Sequence, residues 1–170
     1  MVILIAGASH TGKTLLAQKL LEKYKIPYLS IDHLKMGLIR SGQTTLTAAD
    51  DDKLTEYLWP IVREMVKTAI ENHQALIVEG CYIPAGWEKD FTDEYLQQIK
   101  FCCIVMTKDY IERHFEDIMI HANVVESRLY DDCDMDRLIR ENEANLAMCR
   151  SHGYPCILID GTYDVEPDLL

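Results

Sequence analysis

The segment GASHTGKT, residues 7–14, lies between an aliphatic run, VILIA, and a helix-like stretch, LLAQKLLEKY. Its spacing, Gly7 followed by Ala8, Ser9, His10 and Thr11 and then Gly12-Lys13-Thr14, is the G-x4-G-K-[ST] pattern of a phosphate-binding loop. In such a loop successive backbone N–H groups and the N-terminus of the next helix, entered here at Leu15, form a nest for an anion. Lys13 can then reach the β- and γ-phosphates of a nucleotide, and the Thr14 hydroxyl can ligate Mg²⁺. An ordinary glycine turn is the plain alternative, but it does not call for a strand before and a helix after. His10 lies inside the loop, either facing solvent or the sheet edge, or touching phosphate.

That loop commits the chain to an α/β architecture, and the rest of the sequence agrees. Short, nearly continuous apolar runs predict strands over 2–6, 26–31, 75–79, 99–106 and 156–159, as expected for parallel strands buried on both faces. Helical periods separate them: one after the first loop, a long one from Leu54 to Ile70 that Pro60 is expected to kink, one behind Asp109 as N-cap, and one from Leu138 to Cys149. Alternating strands and helices imply right-handed crossovers and a three-layer parallel sheet. With 170 residues, 48% of them hydrophobic, one compact domain is expected over 1–170. The run HANVVESRLYDDCD, residues 121–134, has no clear period and reads as a small mobile lid. Asp50-Asp51-Asp52 reads as the charged first turn of the long helix.

No basic, apolar leader and no span of about 18 apolar residues is visible, so a cytoplasmic protein is expected. The six cysteines include an adjacent pair and show no CxxC spacing, which points to reduced, mostly buried thiols. A net charge of −11 argues against nucleic acid and anionic membrane as partners, so any polyanion must be held by a local pocket.

Candidate chemistry gathers at strand ends. Asp32 follows the second strand beside the crevice where parallel α/β sheets bind ligands. It can take the proton of an attacking hydroxyl, hold Mg²⁺ through water, or cap the helix beginning near His33. Lys35 and Arg40 on that helix can clamp an anionic acceptor or face solvent. Glu79 ends the third strand on a carboxylate, suited to holding the waters of a metal opposite Thr14. Tyr82, in the turn GCYIPAGW, can touch the acceptor or simply pack. Arg128 and Arg113, in and beside the lid, are the first and second choices for compensating charge during phosphoryl transfer, with helix-surface ion pairs as the alternative; Arg137 and Arg140 open the next helix. Gly161, in LIDGTYDV, belongs to a loop that would neighbour the nucleotide base.

The phosphate loop, LSIDHLK, LIVEG, MTKDYIERHF and LIDGTYDVEP together resemble the corresponding stretches of adenylate-kinase-like small-molecule kinases. Similar layouts occur in the gluconate, shikimate and uridine kinases, in zeta-toxin-like kinases and in 2-phosphoglycerate-kinase-like proteins. The resemblance spans nearly the whole chain, although only the phosphate loop is individually specific. It implies a P-loop NTPase fold with a five-stranded parallel sheet of order 2-3-1-4-5, and a nucleotide between residues 7–14 and the Gly161 loop. It also implies Lys13 and Thr14 on ATP and Mg²⁺, Asp32 and Lys35 on the acceptor side, Glu79 near the metal, and Arg128 in the lid.

Departures from the adenylate kinases narrow the expectation. Their loop is richer in glycine, they carry an arginine where Lys35 stands, and their third strand ends in a D-G-F-P-R-like run, where this chain has EGCYIP and no arginine. VEG is closer to uridine-kinase-like and zeta-toxin-like members, whose acceptors present hydroxyls. The expectation is therefore an ATP- and Mg²⁺-dependent kinase acting on a hydroxyl of a small metabolite. A nucleoside monophosphate kinase and a nucleotide-binding switch or ATPase that works on a protein partner are the alternatives.

Overall fold

A computed structural model describes residues 1–121 and 134–165. In chain order the elements are β1 (Val2–Gly7), α1 (Lys13–Tyr24), β2 (Tyr28–Ser30), α2 (Ile31–Arg40), α3 (Asp51–Glu71), β3 (Leu76–Glu79), a 3₁₀ turn (Trp87–Asp90), α4 (Asp93–Leu96), β4 (Ile99–Met106), α5 (Lys108–His121), α6 (Met135–His152) and β5 (Cys156–Ile159). The five strands form one sheet of order β2-β3-β1-β4-β5, and every pairing is parallel.

Period-two alternation within the apolar strands divides the core into two layers. From β1, Val2, Leu4 and Ala6 point to one face and Ile3 and Ile5 to the other; from β4, Cys103 and Val105 join the first set and Cys102, Ile104 and Met106 the second. The first layer packs under α3 through Leu54, Leu58, Val62 and Val66, and the second under α1 and α5 through Leu16, Leu20, Ile111 and Ile118. Both faces of β1 are thus dry, and its C-terminal end, where the glycine loop leaves, is held at the centre of the sheet.

Several local expectations shift. The strand predicted over 26–31 shrinks to β2, because the backbone becomes helical at Ile31. Asp32 is therefore in the first turn of α2, and Ser30, not Asp32, occupies the capping position. Thr107 Oγ1, rather than Asp109, accepts the Tyr110 N–H at the start of α5 (3.2 Å). Pro60 lies inside α3 without ending it, while the non-helical residue within α5 is His114, at φ −122° and ψ 16°. Cys102, Cys103 and Cys149 are buried, but Cys81 is exposed; no disulfide occurs among the described residues. Residues 122–133, which hold most of the lid expectation and Arg128, lie outside the described residues. No helix among the described residues is long and apolar enough to cross a membrane.

Asn142 pins α6 to the sheet. Its side chain is buried, its Oδ1 accepts the Met106 N–H at the end of β4 (2.8 Å), and its Nδ2 donates to the Leu138 carbonyl (2.8 Å). Asn142→Leu, similar in volume, leaves the Met106 N–H buried without that acceptor. It is expected to lower the unfolding free energy by about 1–3 kcal/mol. Urea denaturation would show this as an earlier midpoint, and an unchanged midpoint would contradict it.

Candidate active site

The glycine loop of residues 7–14 is tightly determined by its surroundings. Gly7 sits at φ +143°, and a Cβ there would lie 2.5 Å from the Ile104 carbonyl oxygen of β4. The loop closes on the Ala8 carbonyl, which accepts from Thr11 Oγ1 (2.9 Å) and from Lys13 Nζ (2.7 Å). Lys13 and Thr11 are buried, whereas Ser9, His10, Thr14 and Leu15 are half-buried. His10 holds the left-handed region at φ +64°, an unusual conformation for a residue with a Cβ. Gly12 caps α1 at φ +83°.

The loop after β5 packs directly onto this cradle. Thr107 Oγ1 donates to Asp160 Oδ1 (3.1 Å), Gly161 turns at φ +138°, and Tyr163 Oη donates to the Thr11 carbonyl (3.2 Å). A Cβ on Gly12 would lie 1.7 Å from the Tyr163 hydroxyl, so only glycine admits the ring there. Burial pushes the Tyr163 phenol up to about 12. Sequence reasoning stopped at Gly161 and missed Tyr163, because nothing in a DG turn reveals that the residue two positions later lands on the first loop.

Glu79 is placed by register. It pairs with Ile5 of β1 on one side and Ser30 of β2 on the other, with its side chain buried. Its Oε1 accepts from Thr14 Oγ1 (3.2 Å), across a separation of 65 residues. A hydroxyl and a carboxylate meeting beside an anion nest suit Mg²⁺, which takes one or two protein oxygens and fills its remaining positions with water and phosphate. Among the described residues no cluster of three or more carboxylate, histidine or cysteine side chains could hold a metal without such help.

Immediately past Glu79 the chain turns toward the start of α2. A Cβ on Gly80 would lie 2.9 Å from the Ile31 Cβ, so glycine lets the start of α2 pack against the end of β3. That contact brings Asp32 and Lys35 to Tyr82. Lys35 Nζ donates to Asp32 Oδ1 (2.5 Å) and to Tyr82 Oη (3.0 Å). Tyr82, itself buried, donates to Asp51 Oδ1 (3.1 Å), and Asp51 Oδ2 accepts from Arg137 (2.7 Å). Arg137 also donates to Glu141 (2.7 Å), and the pairs with Glu141 and Asp51 raise its already high pKa. Burial and the nearby acidic groups push the Tyr82 phenol far above its ordinary value, so it remains a neutral donor.

The structure thus brings together Lys13, Thr14 and Glu79, and separately Asp32, Lys35 and Tyr82. It adds Asp51, which the sequence presents only as a helix-start charge, and Arg137. Arg40 is exposed at the last residue of α2, with no bond to this group among the described residues. Arg113 pairs with Asp109 of its own helix (3.3 Å) and is largely exposed, as a surface ion pair.

No family model matches the sequence, and no curated protein matches it. Among solved structures, the chain is similar to a "putative kinase" from Chloroflexus aurantiacus J-10-fl, at 22% identity over 98% of this chain and 92% of that one, with a TM-score of 0.55. It is similar also to shikimate kinase from Bacteroides thetaiotaomicron, at 16% identity over 99% and 91%, with a TM-score of 0.52. The fold is therefore the P-loop kinase fold, as the sheet order and glycine loop had indicated.

Gly12 offers a direct check of this geometry. Gly12→Ala is expected to destabilise the protein by about 1–2 kcal/mol through left-handed backbone alone, and further by displacing Tyr163. In the Gly12→Ala/Tyr163→Ala double variant, the contact no longer contributes. Thermal unfolding of Gly12→Ala, Tyr163→Ala and the double variant separates the two effects: strict additivity would rule out the contact.

Proposed function

We propose that this protein is an ATP- and Mg²⁺-dependent kinase that transfers the γ-phosphoryl group to a hydroxyl of a small metabolite. One observation carries the reading: the short turn from Glu79 to Tyr82 touches the Thr14 hydroxyl at one end and the Lys35 ammonium at the other. A phosphate cradle and a polar acceptor cleft are thereby coupled through four consecutive residues, the proximity that in-line transfer requires.

Residue roles follow from placement. The nest of residues 7–14 holds the β-phosphate, and Lys13 turns from the Ala8 carbonyl toward the transferred group. Thr14 and Glu79 are the protein oxygens for the metal. A bound Mg²⁺ would neutralise charge on the phosphate oxygens. Asp32, oriented by Lys35, accepts the hydroxyl proton as the oxygen attacks phosphorus. The new O–P bond forms as the bond from the γ-phosphorus to the bridging oxygen breaks, leaving ADP. Tyr163 and the Gly161 loop border the nucleotide, and Tyr82 holds Lys35 in place. Arg113 and Arg128 remain candidates for charge compensation, and Arg40 for the acceptor rim.

ADP release from Mg-ATP, with pooled hydroxyl metabolites compared with pooled nucleoside monophosphates, tests the reading. The hydroxyl pool is expected to stimulate release. Lys13→Ala is expected to lower turnover by about 10²–10³-fold, and Asp32→Asn by about 10²–10⁴-fold, with both variants folded by circular dichroism. Stimulation by monophosphates alone, with little loss in Asp32→Asn, would instead support a nucleoside monophosphate kinase, because a phosphate acceptor hardly needs a base. ATP binding with silence from both pools would turn the reading toward a partner-dependent switch.

A further inference from the structure

We infer that the acceptor is an uncharged polyhydroxyl molecule, of the sugar, polyol or nucleoside class, rather than a carboxylate or a phosphate ester; the inference rests on the kinase reading above. The observation behind it is that, among the described residues, the two cations beside Tyr82 and Asp51 are already paired. Lys35 holds Asp32 at 2.5 Å, and Arg137 holds Asp51 and Glu141, each at 2.7 Å. An entering anion would have to displace one of these carboxylates or sit beside it. Displacement leaves a carboxylate without its cation, and juxtaposition sets like charges at close range.

The exposed carboxylates favour hydroxyls. Asp32 and Asp51 keep 31% and 45% of their side chains exposed, so an entering hydroxyl can reach either carboxylate. A hydroxyl can donate to such an oxygen and accept from a neighbouring ammonium or guanidinium, whereas a phosphate or carboxylate group only accepts. The alternation Asp32, Lys35, Tyr82, Asp51, Arg137 therefore matches adjacent hydroxyls on one carbon chain or ring. Tyr82 is the fixed joint of the series, since its hydroxyl both accepts from Lys35 and donates to Asp51.

The wider field has the same sign. Arg40, the other cation on α2, is exposed at the helix end with no bond to the cleft among the described residues, and the turn after β3, GCYIPAGW, contains no cation. A chain of net charge −11 also lowers the local concentration of small anions. ATP escapes this penalty because the backbone nest and Lys13 compensate it locally. Transfer on such an acceptor is the step given above: the hydroxyl oxygen bonds to the γ-phosphorus, its proton passes to Asp32, and ADP leaves with the bridging oxygen.

Matched pairs test the inference: a ribonucleoside series with the corresponding 5′-monophosphates, and an aldose and polyol series with the corresponding aldonates and sugar phosphates. ADP release is measured for each with the wild-type protein and with Asp51→Asn. The wild type is expected to favour the neutral member of the productive pair by about tenfold or more in kcat/KM. Asp51→Asn, which removes one carboxylate and partly frees Arg137, is expected to narrow that ratio about fivefold, chiefly through KM for the anionic member. Preference for the anionic member in the wild type would overturn the inference while leaving the kinase reading intact. An unchanged ratio in a folded Asp51→Asn would overturn the pairing argument. No turnover of any member, with ATP bound, would overturn both readings together.

Discussion

The contact between Glu79 and Thr14 is the constraint around which the site is arranged. It joins the end of β3 to the first turn of α1, and it exists because parallel register places Glu79 between Ile5 and Ser30. A carboxylate buried at that depth is costly unless polar partners or a cation answer it. The strand order β2-β3-β1 is what supplies the answer, by setting the glycine loop alongside. Were β3 to slip by one residue, Glu79 would turn to the opposite face and the carboxylate would leave the loop.

From the same strand end the chain organises the opposite side of the cleft. Gly80 permits the close approach of Ile31, Ile31 sets the first turn of α2, and that turn presents Asp32 and Lys35 to Tyr82. Asp51 and Arg137 then extend the hydrogen-bonded series to α3 and α6. These groups are mutually satisfied, so the cleft walls are held in place by their own polar contacts.

Legibility in the sequence varied with the range of the physics involved. The glycine loop could be read because its spacing is local: Gly7, Gly12, Lys13 and Thr14 act within one turn of chain. Strand positions were legible because β1, β3 and the C-terminal part of β4 are buried on both faces and so are nearly unbroken apolar runs, and because the edge strand β5 is apolar throughout although Leu158 is exposed. Shorter β2 was overestimated, since burial of Ile31 serves a helix as well as a strand. Asp32 as N-cap and Asp109 as N-cap both failed for one reason: a serine or threonine two residues upstream occupied the capping position, and the acidic residue fell in the first turn.

Residues whose roles depend on distant partners were the ones missed or undervalued. Asp51 looks like one of three interchangeable acids at a helix start, and only the packing of α3 against Tyr82 and Arg137 distinguishes it. Tyr163 is one aromatic among nine tyrosines until it lies over Gly12. By itself, then, the sequence determined the α/β class, the glycine loop between β1 and α1, and the position of Glu79 at a strand end, because spacing and periodicity are properties of neighbouring residues. Only the tertiary structure decided that Thr14 meets Glu79, that Lys35 is shared by Asp32 and Tyr82, and that Arg137 is held by Asp51. Those pairings depend on register and helix packing between segments far apart in the chain, which no local pattern encodes.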